Sequence, residues 1–372
     1  MNLELTPEQE ELRATLRRFL ADHAPLSYVR AQLDDQRGTT DEVWKGLAAL
    51  GVTGLLVPEA HGGAGMGMVE VAIVAEELGR AVHPGPWAAS AVGAASLVFA
   101  AGSAADQATW LPGIASGETV GTVALYDSAD PHAREWSQPT TTALADGDGW
   151  ALIGAKAHVP DAVAADVVFV TAASVDGMGV FAVEPDAPGV EIRATPTADG
   201  TRKEGTVALD GAPARPLGAG DASAAVAETR DRLGIASVVD GVGAAARVLE
   251  LSVDYAKERR QFDRPVGSFQ AVQRLCAEML RAVELARAGA HYACWAADAA
   301  DPIERHRAAS VARAYAADEL YQVGARAIQV HGGVGFTWEH DVQLFYKRLL
   351  TLQHDGGGAA DHLEDLAAIV LD

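Results

Sequence analysis

Tyr255-Ala-Lys-Glu-Arg-Arg-Gln-Phe-Asp-Arg-Pro-Val-Gly-Ser-Phe-Gln270 separates two long helical patterns, Arg232 to Glu258 and Gln270 to Ala300. Pro265 and Gly267 break the helical period between them. The chain carries 29 Lys plus Arg against 51 Asp plus Glu, a formal charge of −22. Against that background Lys257, Arg259, Arg260 and Arg264 form a basic island at a helix end. A fixed anion suits such an island, because guanidinium forks match phosphate oxygens and a helix boundary leaves backbone groups free. The competing reading is a solvated surface on which these cations pair with Glu250, Asp254 and Glu258.

Working outward, Ile303 to Val330 and Val342 to Leu352 continue the helical pattern. Between them lies Gln329-Val-His-Gly-Gly-Val-Gly-Phe-Thr-Trp-Glu-His-Asp341, whose glycines at 332, 333 and 335 permit a sharp turn or close approach to a ligand. The spacing is not that of G-x-G-x-x-G, and no strand precedes it. His331 and His340 have neither a third ligand nor a paired carboxylate at helical spacing, so no metal is expected. Cys276 and Cys294, the two cysteines, form no C-x-x-C and no disulfide framework.

Toward the N-terminus, Thr6, Pro7 and Gln9 form a capping box ahead of Leu12, Leu16, Phe19 and Leu20. Further helices are predicted at Thr40 to Ala49 and Met68 to Gly79. From Gly121 the period shortens. Thr122 to Leu125, Trp150 to His158, Asp166 to Ala172, Gly179 to Val183, Val190 to Ala194 and Gly205 to Leu209 read as strands, with Asp146-Gly147-Asp148-Gly149 as a hairpin turn. Pro213, Pro216, Gly218 and Gly220 read as a linker. The expected class is α+β, mostly α: a helical domain over 1–116, an antiparallel β domain over 117–215 and a helical bundle over 222–372.

Composition narrows the function. With 49% hydrophobic and 22% charged residues over 372 positions, the chain can bury a large core. Net negative charge opposes binding to nucleic acid or anionic headgroups. The Ala-rich window Ala88 to Ala101 falls short of the ~20 strongly apolar residues that a membrane span needs. The first residues lack a basic segment followed by an apolar one, so no secretion signal is expected. A cytoplasmic protein with no membrane insertion is expected.

The Arg-x-Gln-Phe segment with its downstream Gln, the Gln-x-x-Gly-Gly-x-Gly segment and the helix, β, helix order together resemble the acyl-CoA dehydrogenase family over essentially the whole chain. The resemblance implies an N-terminal helical domain, a central β domain and a C-terminal four-helix bundle that hold FAD. It further implies that Arg259 contacts the FAD pyrophosphate, usually across a subunit interface, with Gln261, Phe262 and Gln270 around the adenosine half. Gln329, Gly332 and Gly333 match the segment of an adjoining subunit that cradles ribose and pyrophosphate. The implied reaction is α,β-dehydrogenation of an acyl-CoA thioester: a carboxylate removes the α-proton while the β-hydride passes to flavin N5. Implied partners are the acyl-CoA, an electron-transfer acceptor, and either identical subunits in a homotetramer or a homologous subunit in an α2β2 heterotetramer.

Several positions depart from the family pattern. The usual Glu of a Tyr-Glu-Gly-Thr segment falls at Asp355 or Gly356, within Leu352-Gln-His-Asp-Gly-Gly-Gly358. The alternative base position, on the first bundle helix, falls at Leu233, with Asp240 seven residues on and on the same helical face. Asp355 and Asp240 are therefore the candidate bases. In the β domain the Ala-x-Thr-Glu-Pro loop corresponds to Val123-Ala-Leu-Tyr-Asp-Ser128 and the Trp-x-Thr pair to His158-Val-Pro160, which makes Leu125 and His158 the expected neighbours of the flavin ring. Lys156 to Ala162 is similar to short actinobacterial-type members, some of which form heterotetramers in which one subunit type supplies the base. Three functions stay open: a dehydrogenase for a CoA thioester, one as bulky as a steroid side chain included; a catalytically silent FAD-binding partner subunit; and a flavin monooxygenase on the same fold.

Overall fold

Thr6 Oγ1 accepts from the Gln9 N–H at 3.3 Å while the Thr6 N–H donates to Gln9 Oε1 at 2.9 Å, so the chain enters helix α1 (Pro7–His23) through the expected reciprocal cap. The computed structural model describes residues 5–127, 136–147 and 149–371. After α1 come α2 (Leu26–Ala31), α3 (Asp41–Ala49), α4 (Met68–Arg80), a π-helical stretch (Ala88–Ala94) leading into α5 (Ala95–Ala101), and α6 (Ala104–Ser116). The strands are β1 (Gly121–Ala124), β2 (Thr142–Asp146), β3 (Gly149–Pro160), β4 (Val167–Ser174), β5 (Gly177–Val183), β6 (Val190–Thr195) and β7 (Glu204–Pro216). Helix α7 (Ser223–Glu258) then leads to a short hairpin of β8 (Arg260–Gln261) and β9 (Arg264–Pro265). Helices α8 (Gln270–Ala299), α9 (Pro302–His331), α10 (Val342–Leu352) and α11 (Ala359–Leu371) complete the chain.

These elements form two compact units, one of Met1–Arg30, Ala72–His83 and Gly234–Asp372, the other of Ala31–Val71 and Pro84–Leu233. The division cuts across the sequence segments: α1 and residues 72–80 of α4 belong with the C-terminal helices.

In the β-containing unit the sheet runs β1-β4-β2-β3-β7-β5, with β6 on β7, and a further β4–β5 ladder closes it on itself. Strand β4 shows why it is buried on both faces. Val168, Val170 and Ala172 join Leu152, Phe181 and Leu209 on one side, while Val167 and Phe169 join Leu97, Leu111 and Ile114 on the other. Most ladders are antiparallel as expected, but β1 pairs β4 in parallel, Gly121 opposite Val167 through Ala124 opposite Val170, so the sheet is mixed. Strand β2, which no apolar run announces, pairs β3 antiparallel from Thr142 opposite Ile153 to Asp146 opposite Gly149. Of the expected hairpin turn, Asp148 lies outside the described residues. Strand β7 runs on through Pro213 and Pro216, paired with Ala151 and Phe181, so the expected linker starts only at Leu217. Ladder pairing across the closed sheet overrides the local reading of those prolines.

In the helical unit, α9 lies among α8, α10 and α11. Small residues set the spacing, with Ala282, Ala286, Ala290 and Ala293 of α8 and Ala309, Ala312, Ala316 and Ala327 of α9 all buried. Helices α4 and α7 touch backbone to backbone. A Cβ at Gly79 would lie 1.9 Å from the Asp240 carbonyl oxygen, and one at Gly243 would lie 2.0 Å from that of Glu76.

Candidate cofactor site

In the helical unit, α7 ends where the Arg259 N–H donates to the Tyr255 carbonyl at 2.8 Å, and the Val266 N–H returns to the Arg259 carbonyl at 2.7 Å. Arg259 thus stands at the base of the β8–β9 hairpin with its backbone clamped on both sides. The hairpin turns through Phe262 (φ 52°) and Asp263 (φ 64°), both left-handed, as a two-residue turn between twisted strands demands. A bulky Phe is costly there, and its ring is 87% exposed.

The surrounding charges bear on the two readings of the basic island. Glu250 is engaged by Arg80 and Arg247, each at 2.9 Å. Asp254 reaches only Lys257, at 3.7 Å. Arg260 donates to the Asp263 carbonyl at 2.5 Å, and the Arg264 guanidinium sits 4.1 Å above the Phe269 ring. Among the described residues no acid forms an ion pair with Arg259. Gln261 and Gln270 are also exposed on this stretch, Gln270 as the first residue of α8.

The second motif arrives beside the first. Helix α9 ends at Gly332, whose φ of 66° and ψ of −146° only glycine adopts readily. A Cβ at Gly332 or Gly333 would meet nothing within 4 Å, so the turn faces open space, and Gln329 one turn earlier is exposed. Beneath the turn, buried His331 stacks on Tyr255 at 4.5 Å and meets the His340 ring at 4.8 Å. His331 Nδ1 lies 2.9 Å from the Ala327 carbonyl, and burial pushes its pKa down, favouring the neutral ring. Tyr255 receives the Arg259 amide and His331 adjoins Gly332, so this stack joins the two motifs. It also gives the histidines a packing role: no group of three or more metal-ligating side chains occurs among the described residues.

The two candidate bases differ in surroundings. Asp240 is buried, and Arg348 Nη1 binds both its carboxylate oxygens, at 2.9 and 3.0 Å, while Arg348 Nη2 donates to the His83 carbonyl at 3.2 Å. Asp355 is exposed in the turn after α10. It accepts from Ser237 Oγ at 2.5 Å through Oδ2, and its carbonyl accepts from Arg313 at 3.0 Å. Gly356 (φ 65°) follows it, and a Cβ there would strike Arg313 at 2.1 Å. Ser237 and Arg313 carried no sequence signal, because neither lies near Asp355 in the chain.

In the β-containing unit the two segments expected at the flavin ring also meet. The Ala157 N–H donates to the Tyr126 carbonyl at 2.8 Å, bridging the end of β1 to β3. Leu125 is buried in the apolar cluster next to Val123, and Leu233, at the alternative base position, packs on that cluster. His158 follows Ala157 at φ 50°, in a register shift of β3, with Nδ1 2.9 Å from Glu204. Arg230 lies above the Trp136 ring at 4.6 Å.

Family models for the acyl-CoA dehydrogenase N-terminal, middle and C-terminal domains match residues 6–118, 130–211 and 222–371. Acyl-CoA dehydrogenase IpdE2 of Mycobacterium tuberculosis is 32% identical over 352 residues, spanning 92% of each chain. Among solved structures, a variant of the Tcur3481-Tcur3483 steroid ACAD has a TM-score of 0.89 at 34% identity over 98% of each chain. The ChsE4-ChsE5 complex from Mycobacterium tuberculosis has a TM-score of 0.90 at 27% identity over 100% of this chain and 99% of the other. The chain belongs to the acyl-CoA dehydrogenase family, flavoprotein oxidoreductases that act on CH–CH groups of acyl-CoA. The cofactor of this class is FAD. The residues present fit it: among the described residues Arg259 has no competing acid, and the Gly332-Gly333 turn is open. No helix among the described residues is long and apolar enough to cross a membrane.

Proposed function

We propose that the protein is an FAD-dependent acyl-CoA dehydrogenase subunit for α,β-dehydrogenation of a bulky acyl-CoA thioester. The observation that carries this is Arg259, held at the base of a strained hairpin with no acidic partner among the described residues and joined through Tyr255 and His331 to the open Gly332-Gly333 turn. In this reading Arg259 and the turn bind the pyrophosphate of FAD at a subunit interface. Phe262, Gln261, Gln270 and Gln329 flank the adenosine half. The backbone of Leu125 to Asp127 and of Ala157 to His158 forms the ledge for the flavin ring. When bound, FAD accepts the β-hydride of the thioester.

For the α-proton, the chain offers Asp355. Its Oδ2 accepts from Ser237 and its side chain is exposed, so a carboxylate oxygen is available to take a proton. Asp240 is the weaker candidate, since protonating it would strand the Arg348 guanidinium in the interior. A heteromeric assembly, in which a homologous subunit carries the base, is the second reading. It is favoured by Leu233, and by Asp355 or Gly356, at the two positions where the family pattern has Glu, and by the likeness to the ChsE4-ChsE5 complex. The bulky substrate rests on the likeness to a steroid ACAD.

The purified protein should show flavin absorption, alone or with its assembly partner. Arg259→Ala should lower the bound-flavin ratio at least tenfold while the melting temperature stays within a few degrees. Flavin content equal to that of the unaltered chain would sink the pyrophosphate assignment.

A further inference from the structure

Lys156 is the largest fully buried side chain of the protein among the described residues, and an ammonium in an interior is expensive unless paired. Its Nζ lies 2.8 Å from Asp127 Oδ1 and donates to Thr171 Oγ1 at 3.1 Å. Asp127 is itself mostly buried. It accepts from the Thr140 amide at 3.1 Å and the Thr141 amide at 3.2 Å, and from the Thr141 hydroxyl. Thr171 Oγ1 lies 3.3 and 3.4 Å from the Ala124 and Leu125 carbonyls. Four pieces of chain meet here: the end of β1, the residues leading into β2, the middle of β3 and the middle of β4.

The consequence is local. Leu125 is held through Thr171, Tyr126 through the Ala157 amide, and Asp127 through Lys156 and Thr141. Three consecutive residues that leave a strand are thus each fixed by a different neighbour. The same carboxylate ties Asp127 to Thr140 and Thr141, where the chain returns to the sheet. A buried ion pair seldom stabilises a fold more than apolar residues of equal volume would, so its presence points to geometry, not stability. Burial lowers the Lys156 pKa even with Asp127 beside it, which is the cost of placing the pair here.

We infer that Lys156 and Asp127 are positioning residues: their buried pair is the staple that fixes the backbone of Leu125 to Asp127 against Ala157 and His158. The inference rests on the functional reading above only for what the staple serves, namely the ledge for the flavin ring. Lys156 touches no substrate in this account. It acts through the strand end that Asp127 anchors.

The test compares the full chain with Asp127→Asn/Lys156→Met, which removes both charges at nearly constant volume. Three quantities are read: global melting, hydrogen exchange of the Ala157 and Thr141 amides in flavin-free protein, and the visible absorption envelope and dissociation constant of bound flavin. The expected result is a melting temperature close to that of the unaltered chain, exchange at Ala157 and Thr141 faster by at least about tenfold, and flavin bound about tenfold more weakly with an altered envelope. Unchanged exchange at both amides overturns the inference, whatever the flavin does. Faster exchange with unchanged flavin binding and spectrum upholds the staple and overturns the placement of the ring. Should the double variant fail to fold, Thr171→Val keeps the charged pair, removes the bond to the Leu125 carbonyl, and is read by the same exchange at Ala157; no change there overturns the inference.

Discussion

Asp240 and Asp355 show how one residue type takes opposite roles according to what surrounds it. Asp240 sits in the interior with both oxygens on Arg348, whereas Asp355 stands at the surface with one oxygen on Ser237. Removing one charge of a buried pair leaves the other unpaired in a medium that solvates it poorly. Asp240→Asn is therefore expected to lower unfolding free energy by about 3 kcal/mol in denaturant titration. Asp355→Asn is expected to leave stability within about 0.5 kcal/mol, as surface changes usually do. A stable, fully folded Asp240→Asn protein would contradict the structural role given to the pair. In the sequence both aspartates were candidate bases, because spacing places a residue on a face but does not say which distant cation meets it there.

At the scale of elements, the contact of α4 with α7 depends on two missing side chains. Gly79 faces the Asp240 carbonyl and Gly243 faces that of Glu76, so neither position has room for a methyl group. Backbone cannot move aside as a flexible side chain does. Gly79→Ala is expected to cost about 2 kcal/mol or more, read as a drop in melting temperature, despite the better helix propensity of alanine. The helices and the first cap were legible because they rest on local signals: Thr6 with Gln9, and apolar residues at helical spacing. Strand β2 and the extension of β7 through Pro213 and Pro216 were not, since both are held by ladder partners on β3 and β5 that no local pattern announces. The parallel pairing of β1 on β4 escaped for the same reason: the order of strands in space is a property of pairing, not of composition.

At the scale of the whole molecule, the structures similar to this chain include a heteromer, the ChsE4-ChsE5 complex. This makes assembly a measurable issue. If a homologous subunit completes the site, the chain expressed alone should carry substoichiometric flavin and show no bleaching with acyl-CoA. Co-expression with that subunit should restore both. Full flavin occupancy and turnover by the chain alone would instead establish a self-sufficient enzyme with Asp355 as the base to be tested. The sequence by itself determined the family, the order helices, sheet, helices, and the two motifs around Arg259 and Gly332, because these are written in contiguous residues whose periodicity and spacing survive without knowledge of the fold. Only the tertiary structure decided that Tyr255 and His331 join the motifs, that Asp240 is committed to Arg348, and that Lys156 reaches Asp127. Each of these is a meeting of side chains far apart in sequence, and such meetings are fixed by packing and by the need to pair every buried charge.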